Sequence, residues 1–265
     1  MCVKCDFNRR GFGRLGLGLA AASLLRARAR ADTSLPLVMI DPGHGGEDPG
    51  AIAPDGLFEK HITLATGLTL RETLLATGRY RVGMTRSTDI YVTLQGRVAD
   101  AVATGANLYL ALHCDHLPFA GLRGASVFTL SNTASDALAA GIATDENGVD
   151  NGPAQDFNGV SPQVAGILAS LETRATRLGS NTLAQDIQSS FTGIVPLLPD
   201  PHRSANFAVL RDPSTPSALL EMGCLSNPLD EALLKNPAHR EMIAQRLTDA
   251  IDLYFANHTD YRLAG

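Results

Sequence analysis

Short apolar runs of β type alternate with segments of helical periodicity along the chain from Leu35 onward. This alternation is typical of an α/β protein whose helices cover both faces of a sheet. The predicted strands are 37–41, 80–86, 107–113, 126–130, 207–210 and 218–224, and the predicted helices begin near 59, 94, 136, 161 and 237. We therefore expect a single α/β domain with a mostly parallel twisted sheet.

The pattern makes two specific predictions about the helices. The helix after Glu59 is expected to pack one apolar side, and the helix that begins at Ser161-Pro162 is expected to bend or be interrupted at Gly179. The apolar side of the first helix consists of Leu64, Leu68, Leu74 and Leu75. Residues 131–201 fit the alternation least well and are predicted to form an insertion, with a short helix over 136–146 and a loop over 147–159.

Residues 1–31 have the features of an export signal. The paired arginines Arg9-Arg10 precede a mildly apolar stretch over 15–25, and Ala29-Arg30-Ala31 supplies a small-x-small cleavage site. This arrangement is similar to twin-arginine signals, so we expect export to the periplasm and a mature domain over 32–265. No stretch of the chain reaches the roughly 18 consecutive apolar residues that a membrane span requires.

The charge balance limits the classes of binding partner. The chain has 22 basic and 27 acidic residues, a net charge of −5, and the net charge becomes −11 when residues 1–31 are removed. An acidic protein of this kind has no electrostatic reason to bind nucleic acid or an anionic membrane surface. We expect a monomer with no nucleic-acid partner.

Four titratable residues fall where an α/β sheet gathers its active site. His44 follows the first strand, Glu59 begins a helix, His113 ends a strand and Glu221 lies inside the apolar run of the last strand. The carboxyl ends of parallel strands meet at one edge of a sheet. Two histidines and a carboxylate suit Zn²⁺ with a fourth position open for water, which is the arrangement of a hydrolytic site. A carboxylate inside an apolar run is costly without a partner, which marks Glu221 as functional.

These residues lie in five ordered motifs: IDPGHGG at 40–46, FEK at 58–60, MTR at 84–86, LHCD at 112–115 and LEMGCLSN at 220–227. The series closely resembles the zinc-dependent N-acetylmuramoyl-L-alanine amidases of the cell-separation type, over roughly residues 36–257. One departure is Cys224, which stands where the family more often has an aromatic residue.

The resemblance implies a single α/β domain in which His44, Glu59 and His113 bind Zn²⁺ and Glu221 is the catalytic carboxylate. The implied reaction is hydrolysis of peptidoglycan, in which a zinc-activated water cleaves the amide bond between N-acetylmuramic acid and L-alanine of the stem peptide. Septal cell-wall splitting is the implied setting.

The resemblance also implies a restraint on this lytic activity. Members of the family with an insertion resembling 131–201 are held inactive by a helix that covers the zinc until a protein activator displaces it. Glu146 is the candidate carboxylate for the open zinc position, with Asp145 as the second candidate. The alternative, that both are solvated residues at the end of a surface helix, stays open.

Several neighbouring residues have open roles. Asp41, Asp115 and Asn227 are expected either to orient ligands and substrate or to structure their loops. His116 is expected to face solvent, and His202-Arg203 is a candidate substrate contact. Strand alternation places Cys114 and Cys224 on the sheet face opposite His113 and Glu221, where buried free thiols are favoured over a disulfide.

Two alternative functions stay open on the sequence. A zinc peptidase acting on the stem peptide would use the same metal chemistry on a different bond. An inactive wall-binding module would keep the fold, although the intact candidate ligands and Glu221 argue against it.

Overall fold

The structure is a computed structural model that describes residues 35–117, 119, 121–150 and 174–258. Its described strands form one sheet in the order β2-β1-β3-β6-β4-β5. Their bounds are β1 Leu37–Pro42, β2 Arg81–Met84, β3 Leu108–Asp115, β4 Ala125–Leu130, β5 Leu197–Ala205 and β6 Ser217–Cys224. Strands β2, β1, β3 and β6 are parallel, whereas β4 is antiparallel to β6 and β5 is parallel to β4. The mostly parallel α/β sheet predicted from the sequence is confirmed.

Helices cover both faces of the sheet. Their bounds are α1 Glu59–Ala76, α2 Leu94–Thr104, α3 Ala137–Asn147, α4 Arg174–Phe191, α5 Pro228–Lys235 and α6 Pro237–Asn257. Helices α1, α4 and α6 pack against alternate strand residues such as Ile40, Leu110 and Leu220. Helices α2 and α3 pack on the other face, against Tyr109 and Leu219. Burial on both faces explains why the central strands are apolar along their whole length.

Helix α1 packs a different side from the predicted one. Leu74 is buried as expected, but Leu75 is 44% exposed, and Leu64 and Leu68 are only partly buried. The buried positions instead repeat every four residues: Ile62, Thr66, Leu70 and Leu74. Gly67 on this side lies so close to β1 that an added Cβ would be 2.9 Å from Pro42 Cγ. Small residues therefore let α1 approach the sheet, and the leucine stripe is not the buried side.

The strand predicted over 207–210 is wrong. Residues Ala208–Leu210 form a 3₁₀ helix, and the ring of Phe207 packs on Phe128 with centroids 5.1 Å apart. A short apolar run does not distinguish a strand from a buried helical turn. The strand is β5, which contains Pro199 and Pro201 and was missed because prolines argue against a strand. Strand β5 lies at the edge of the sheet, where prolines are tolerated.

The predicted interruption at Gly179 is also wrong, because α4 is continuous from Arg174 to Phe191. Gly179 is buried, and an added Cβ would lie 2.9 Å from both Pro216 Cγ and the Tyr254 hydroxyl oxygen. The glycine therefore permits close packing. The start of this helix at Ser161 and the export signal over 1–31 lie outside the described residues.

Cys114 and Cys224 are both buried free thiols, as predicted. Their placement on one face is wrong, because Cys114 packs with the α1 and α4 side and Cys224 with the α2 and α3 side. The register of β3 and β6 shifts after the His113–Glu221 pair, and Gly223 there has a φ of 155°. This irregularity moves Cys224 to the other face.

The predicted insertion over 131–201 contains elements with different roles. Helix α4 contributes Leu183, Ile187 and Phe191 to the core, and β5 pairs with β4. Helix α3, in contrast, ends beside the candidate site with Glu146. Across the described ranges, none of the helices combines the length and apolar character needed to cross a membrane.

Candidate metal centre and active site

The candidate site lies where the strand order reverses. Strand β1 lies between β2 and β3, so the chain passes from β1 to β2 on one side of β1 and then crosses to β3 on the other side. A crevice opens at the carboxyl ends of the strands at such a point. His44 follows β1, His113 is near the end of β3, and Glu221 on β6 is the register partner of His113. Glu59, the first residue of α1, points into the same crevice.

Four side chains direct nitrogen and oxygen atoms at one point. His44 Nε2 and His113 Nδ1 are 3.2 Å apart. Glu59 Oε2 is 3.1 Å from His44 Nε2, and Glu59 Oε1 is 3.3 Å from His113 Nδ1. Glu146 Oε2 is 2.9 Å from His113 Nδ1 and 3.6 Å from His44 Nε2. The four residues together form a group that could hold a metal ion.

These distances fit a tetrahedral zinc site. Zinc bonds to nitrogen and oxygen of about 2.0 to 2.2 Å place tetrahedral ligand atoms about 3.3 to 3.6 Å from each other. The separations between the donor atoms, from 2.9 to 3.6 Å, lie around that range. The donor set of two imidazoles and a carboxylate is that of hydrolytic zinc centres.

The electrostatics of the cluster favour a cation. Burial lowers the pKa of His44, but the Glu59, Asp48 and Glu146 carboxylates outweigh it and raise that pKa to about 11. Burial also lowers the pKa of His113, but the Glu146 and Glu59 carboxylates outweigh it and raise that pKa to about 9. Burial raises the pKa of Glu59, yet the two histidines hold it well below its ordinary value. A site that stabilises positive charge on the imidazoles so strongly suits a divalent metal that replaces those protons.

Backbone donors and Asp48 fix the directions of the candidate ligands. Glu59 Oε1 accepts from the amide of Cys114 at 2.7 Å, and Glu59 Oε2 accepts from the amide of Ala51 at 2.8 Å. His44 Nδ1 lies 2.8 Å from Asp48 Oδ2, which leaves Nε2 directed at the cluster. Such contacts to metal ligands set their orientation. The sequence does not single out Asp48, because this residue lies within a glycine-rich loop, where an aspartate is typical of turns.

Gly43 lies against the ring of His113. A Cβ at this position would be 2.3 Å from His113 Cε1 and 2.5 Å from Nε2. Any side chain here therefore displaces the imidazole.

We expect Gly43→Ala to lower zinc affinity by more than about tenfold, because even contacts that only orient a ligand are worth about 10- to 100-fold. Gly121→Ala is the matched control, since a Cβ there has nothing within 4 Å. Titration with zinc in the presence of a competing chelator measures the effect. Equal affinities in the two variants would show that the Gly43 contact does not position His113.

A buried ion pair supports the His44 loop. Arg97 Nη1 donates to Asp41 Oδ1 at 2.7 Å, and Arg97 Nη2 donates to the carbonyl of His44 at 2.7 Å. Asp41 also accepts from Thr85 at 2.5 Å and Tyr109 at 2.6 Å. His44 has a φ of 59°, a conformation that non-glycine residues adopt only when the surroundings hold it. Asp41 therefore structures the loop, and the role of Arg97 was missed because an arginine in an amphipathic helix suggests exposure.

Arg97→Leu is expected to destabilise the protein by about 3 to 5 kcal/mol, the usual cost of leaving one partner of a buried ion pair alone. Arg71→Leu, on the exposed side of α1, is the matched control and is expected to be near neutral. Urea unfolding measures both variants. Equal unfolding free energies would contradict the supporting role of the pair.

Glu221 is fully buried on β6. Among the described residues, neither carboxylate oxygen has a hydrogen-bond partner, and the same holds for Asp115 Oδ2 and the hydroxyl of Ser126. Ser126 on β4 is the register partner of Glu221, and α3 covers this face of the sheet. Burial raises the pKa of Glu221 well above its ordinary value, and the charges of Asp115 and Glu146 add to it. Unsatisfied buried groups of this kind mark a place where water or a substrate binds.

Helix α3 is anchored so that Glu146 reaches the cluster. Its last residue, Asn147, donates through Nδ2 to the carbonyl of Asn206 at 2.8 Å and accepts at Oδ1 from the amide of Ala208 at 2.7 Å. The Glu146 side chain is 14% exposed, whereas Asp145 is exposed. Glu146, and not Asp145, is therefore the carboxylate brought to the two histidines.

The remaining candidates lie outside the donor cluster. Asn227 caps α5 by accepting from the amides of Leu229 and Asp230, which is a structural role. His116 is exposed, as expected. His202 Nε2 lies 3.3 Å from the Thr129 hydroxyl, on the β5 edge of the sheet.

A donor cluster of this composition at the strand ends of an α/β domain defines a protein of the metal-hydrolase class. The family profile of N-acetylmuramoyl-L-alanine amidases matches residues 38–252. The chain belongs to this family, and the resemblance read from its motifs is confirmed.

Curated relatives and solved structures agree with this assignment. The chain is 35% identical to the amidase AmiC of Neisseria meningitidis over 83% of its length and 52% of that protein. It is also 35% identical to AmiA of Salmonella typhimurium over 87% of its length and 80% of that protein. The structure of the amidase Ami1 from Mycobacterium smegmatis has the same fold, with a TM-score of 0.63 at 21% identity over 84% of this chain and 97% of that one.

Proposed function

We propose that this protein hydrolyses the amide bond between N-acetylmuramic acid and the L-alanine of the peptidoglycan stem peptide, using Zn²⁺. The observation that carries the proposal is the convergence of His44, Glu59 and His113 beside the unpaired carboxylate of Glu221, in a chain of the amidase family. A zinc peptidase would use similar ligands, but the family match favours the muramoyl amide.

Metal binding and proton transfer are assigned to different residues of the chain. His44, Glu59 and His113 would hold the ion through the donor atoms described above. When bound, Zn²⁺ lowers the pKa of a water ligand to about 7 and polarises the carbonyl of the amide. Glu221 takes a proton from the attacking water at a carboxylate oxygen and returns it to the nitrogen of L-alanine as the C–N bond breaks. The products are a free lactyl carboxylate on the sugar and a free stem peptide.

The surroundings of Glu221 connect its protonation to α3. In the described state, burial and the nearby Glu146 carboxylate both contribute to its raised pKa. Displacement of α3 would admit water and remove that charge, and both changes lower the pKa of Glu221. Covering the site inhibits the enzyme by occupying the open coordination position of the zinc.

The same geometry supports autoinhibition by Glu146. Its Oε2 atom lies close to both histidine donor atoms, so with zinc bound it would take the position that a water or a substrate oxygen needs. A protein activator that moves α3 would open the site. The structural neighbour CwlD from Clostridioides difficile, with a TM-score of 0.62, was solved in complex with the GerS lipoprotein.

Glu146→Ala is expected to raise basal hydrolysis of purified peptidoglycan by about 10- to 100-fold without any partner, since one charge-assisted contact of about 1.5 to 3 kcal/mol is lost. Asp145→Ala is the matched control, because this neighbouring carboxylate is exposed and is expected to have no effect. Release of dye from labelled peptidoglycan measures both. Unchanged activity in Glu146→Ala, with zinc retained, would leave α3 a structural element only.

The proposed setting follows from the function. We propose that residues 1–31 direct export to the periplasm, that residues 32–265 form the catalytic domain, and that the mature protein acts as a monomer in septal wall splitting.

Mass analysis of muropeptides after digestion tests the function. Free stem peptides and peptide-free glycan are expected from the wild type, and Glu221→Ala is expected to release neither. Shortened peptides still attached to glycan would identify a peptidase, and intact muropeptides from a zinc-loaded Glu146→Ala protein, in which the metal cluster is open, would identify a binding module.

A further inference from the structure

Helix α3 carries an acidic residue at each end. Glu146, near its last residue, reaches the metal cluster, and Asp136 is its N-cap. The ten residue steps from Asp136 to Glu146 extend about 15 Å at a rise of 1.5 Å per residue. The two carboxylates therefore contact two separate places on the same protein surface.

The place contacted by Asp136 is the guanidinium of Arg203 on β5. Asp136 Oδ2 accepts from Arg203 Nε at 3.0 Å, and Arg203 Nη2 donates to the carbonyl of Pro199 at 2.7 Å. The Arg203 side chain is only 10% exposed, while that of Asp136 is 40% exposed. In the part of the chain that the structure describes, Arg203 Nη1 is buried without a hydrogen-bond partner. A buried guanidinium with an unused donor is costly unless a ligand completes its bonding.

Arg203 also lines a pocket of about 410 Å³ beside the start of α3. Besides Leu130 and His202, the lining consists of hydroxyl, amide and guanidinium groups, including Ser131, Asn132, Thr133, Arg177, Asn181 and Arg203. Guanidinium groups among neutral hydrogen-bonding groups are suited to a carboxylate. The chain as a whole is acidic, so this basic pocket is not a consequence of its overall charge.

Arg203 lies within reach of the reacting bond. Arg203 pairs with Phe128, and Phe128 pairs with Leu219, two residues before Glu221. Residues two apart on a strand face the same side, so Arg203 and Glu221 share the face that α3 covers. Two strand spacings of about 4.8 Å and two residues of about 3.4 Å place their Cα atoms about 12 Å apart.

We propose that Arg203 binds a carboxylate of the stem peptide and that Asp136 occupies this subsite while α3 covers the site. The proposal rests on the proposed amidase function and deepens it. A separation of 12 to 15 Å is covered by about four extended residues, so the carboxylate belongs to the distal end of the stem peptide. Helix α3 then imitates the substrate at both ends, with Glu146 at the metal cluster and Asp136 at Arg203.

Two substrates test the subsite. Both are glycan chains with tetrapeptide stems, one ending in a free carboxylate and the other in a carboxamide. The measurements use the Glu146→Ala protein, so that the metal cluster is open in every variant. The Glu146→Ala protein is expected to cleave the carboxylate substrate with a kcat/KM about 10- to 100-fold higher than that for the carboxamide substrate, mainly because KM is lower. This range is that of a hydrogen bond to a charged group.

Arg203→Gln in the same background is expected to cleave both substrates with kcat/KM values within about twofold, and to keep the kcat of the parent on the carboxamide. Arg246→Gln on α6, whose partner is Asp249, is the matched control and is expected to keep the preference. Asp136→Asn retains the helix cap but loses the charge, so it is expected to lower KM for the carboxylate substrate alone.

Each of the following outcomes overturns the inference. Retention of the carboxylate preference in Arg203→Gln, or an equal fall in KM for both substrates in Asp136→Asn, would show that the ion pair only anchors α3. An unchanged KM in Asp136→Asn would show that Asp136 does not occupy the subsite. Release of free stem peptides without any carboxylate preference in the parent would overturn the subsite and leave the amidase function standing. Failure of the parent to release stem peptides from either substrate would overturn the proposed function and the subsite with it.

Discussion

Replacing Glu221 with glutamine is expected to lower kcat by about 10² to 10⁴ while leaving zinc binding intact, because that is the usual contribution of a general acid and base. Glutamine keeps the shape of the side chain but cannot accept the proton of the attacking water. Glu221 belongs to β6, and it is not part of the four-residue donor cluster. Turnover of peptidoglycan and zinc content by atomic absorption measure the two halves of the prediction.

Glu231→Gln is the matched control for this variant. Glu231 is also largely buried, but it lies on α5 and pairs with Lys235 at 2.6 Å. The control is expected to retain activity. Loss of zinc from Glu221→Gln would show that Glu221 is a ligand, and retention of full turnover would remove it from the mechanism.

Replacing His113 or His44 with alanine is expected to abolish both zinc binding and hydrolysis. Each histidine supplies one of the two converging imidazole nitrogens, and the loss of a ligand is expected to exceed the 10- to 100-fold effect of losing an orienting contact. Zinc titration against a chelator, followed by the peptidoglycan assay at saturating zinc, separates weakened binding from lost chemistry.

His116→Ala is the control that the chain itself offers, three residues beyond His113 and exposed. It is expected to bind zinc and hydrolyse peptidoglycan like the wild type. A His113→Ala protein that kept its zinc would contradict the ligand assignment.

The sequence predicts the candidate site more completely than it predicts the fold, and the reasons are physical. His44, Glu59, His113 and Glu221 lie at ends of strands and helices, and strand ends of a parallel sheet converge whatever the details of helix packing. The resemblance suggested Glu146 because this residue ends the short helix predicted over 136–146, and α3 ends at the neighbouring residue Asn147.

Features that depend on tertiary packing were not predictable in the same way. The buried side of α1 is set by how closely Gly67 approaches Pro42, which the leucine pattern does not report. The face of Cys224 depends on a register shift at Gly223, because one irregular residue reverses strand alternation. The support of the His44 loop by Arg97 joins groups 53 residues apart in the chain.

Hydrolysis of peptidoglycan in water enriched in ¹⁸O tests the central claim most directly. An amidase adds the water oxygen to the carbonyl carbon of the cleaved amide, so the proposed reaction places ¹⁸O in the lactyl carboxylate of N-acetylmuramic acid and none in the released peptide. Mass spectrometry of the separated glycan and peptide products is expected to show this labelling for the wild type. Labelling of a peptide carboxylate, with the lactyl amide intact, would contradict it.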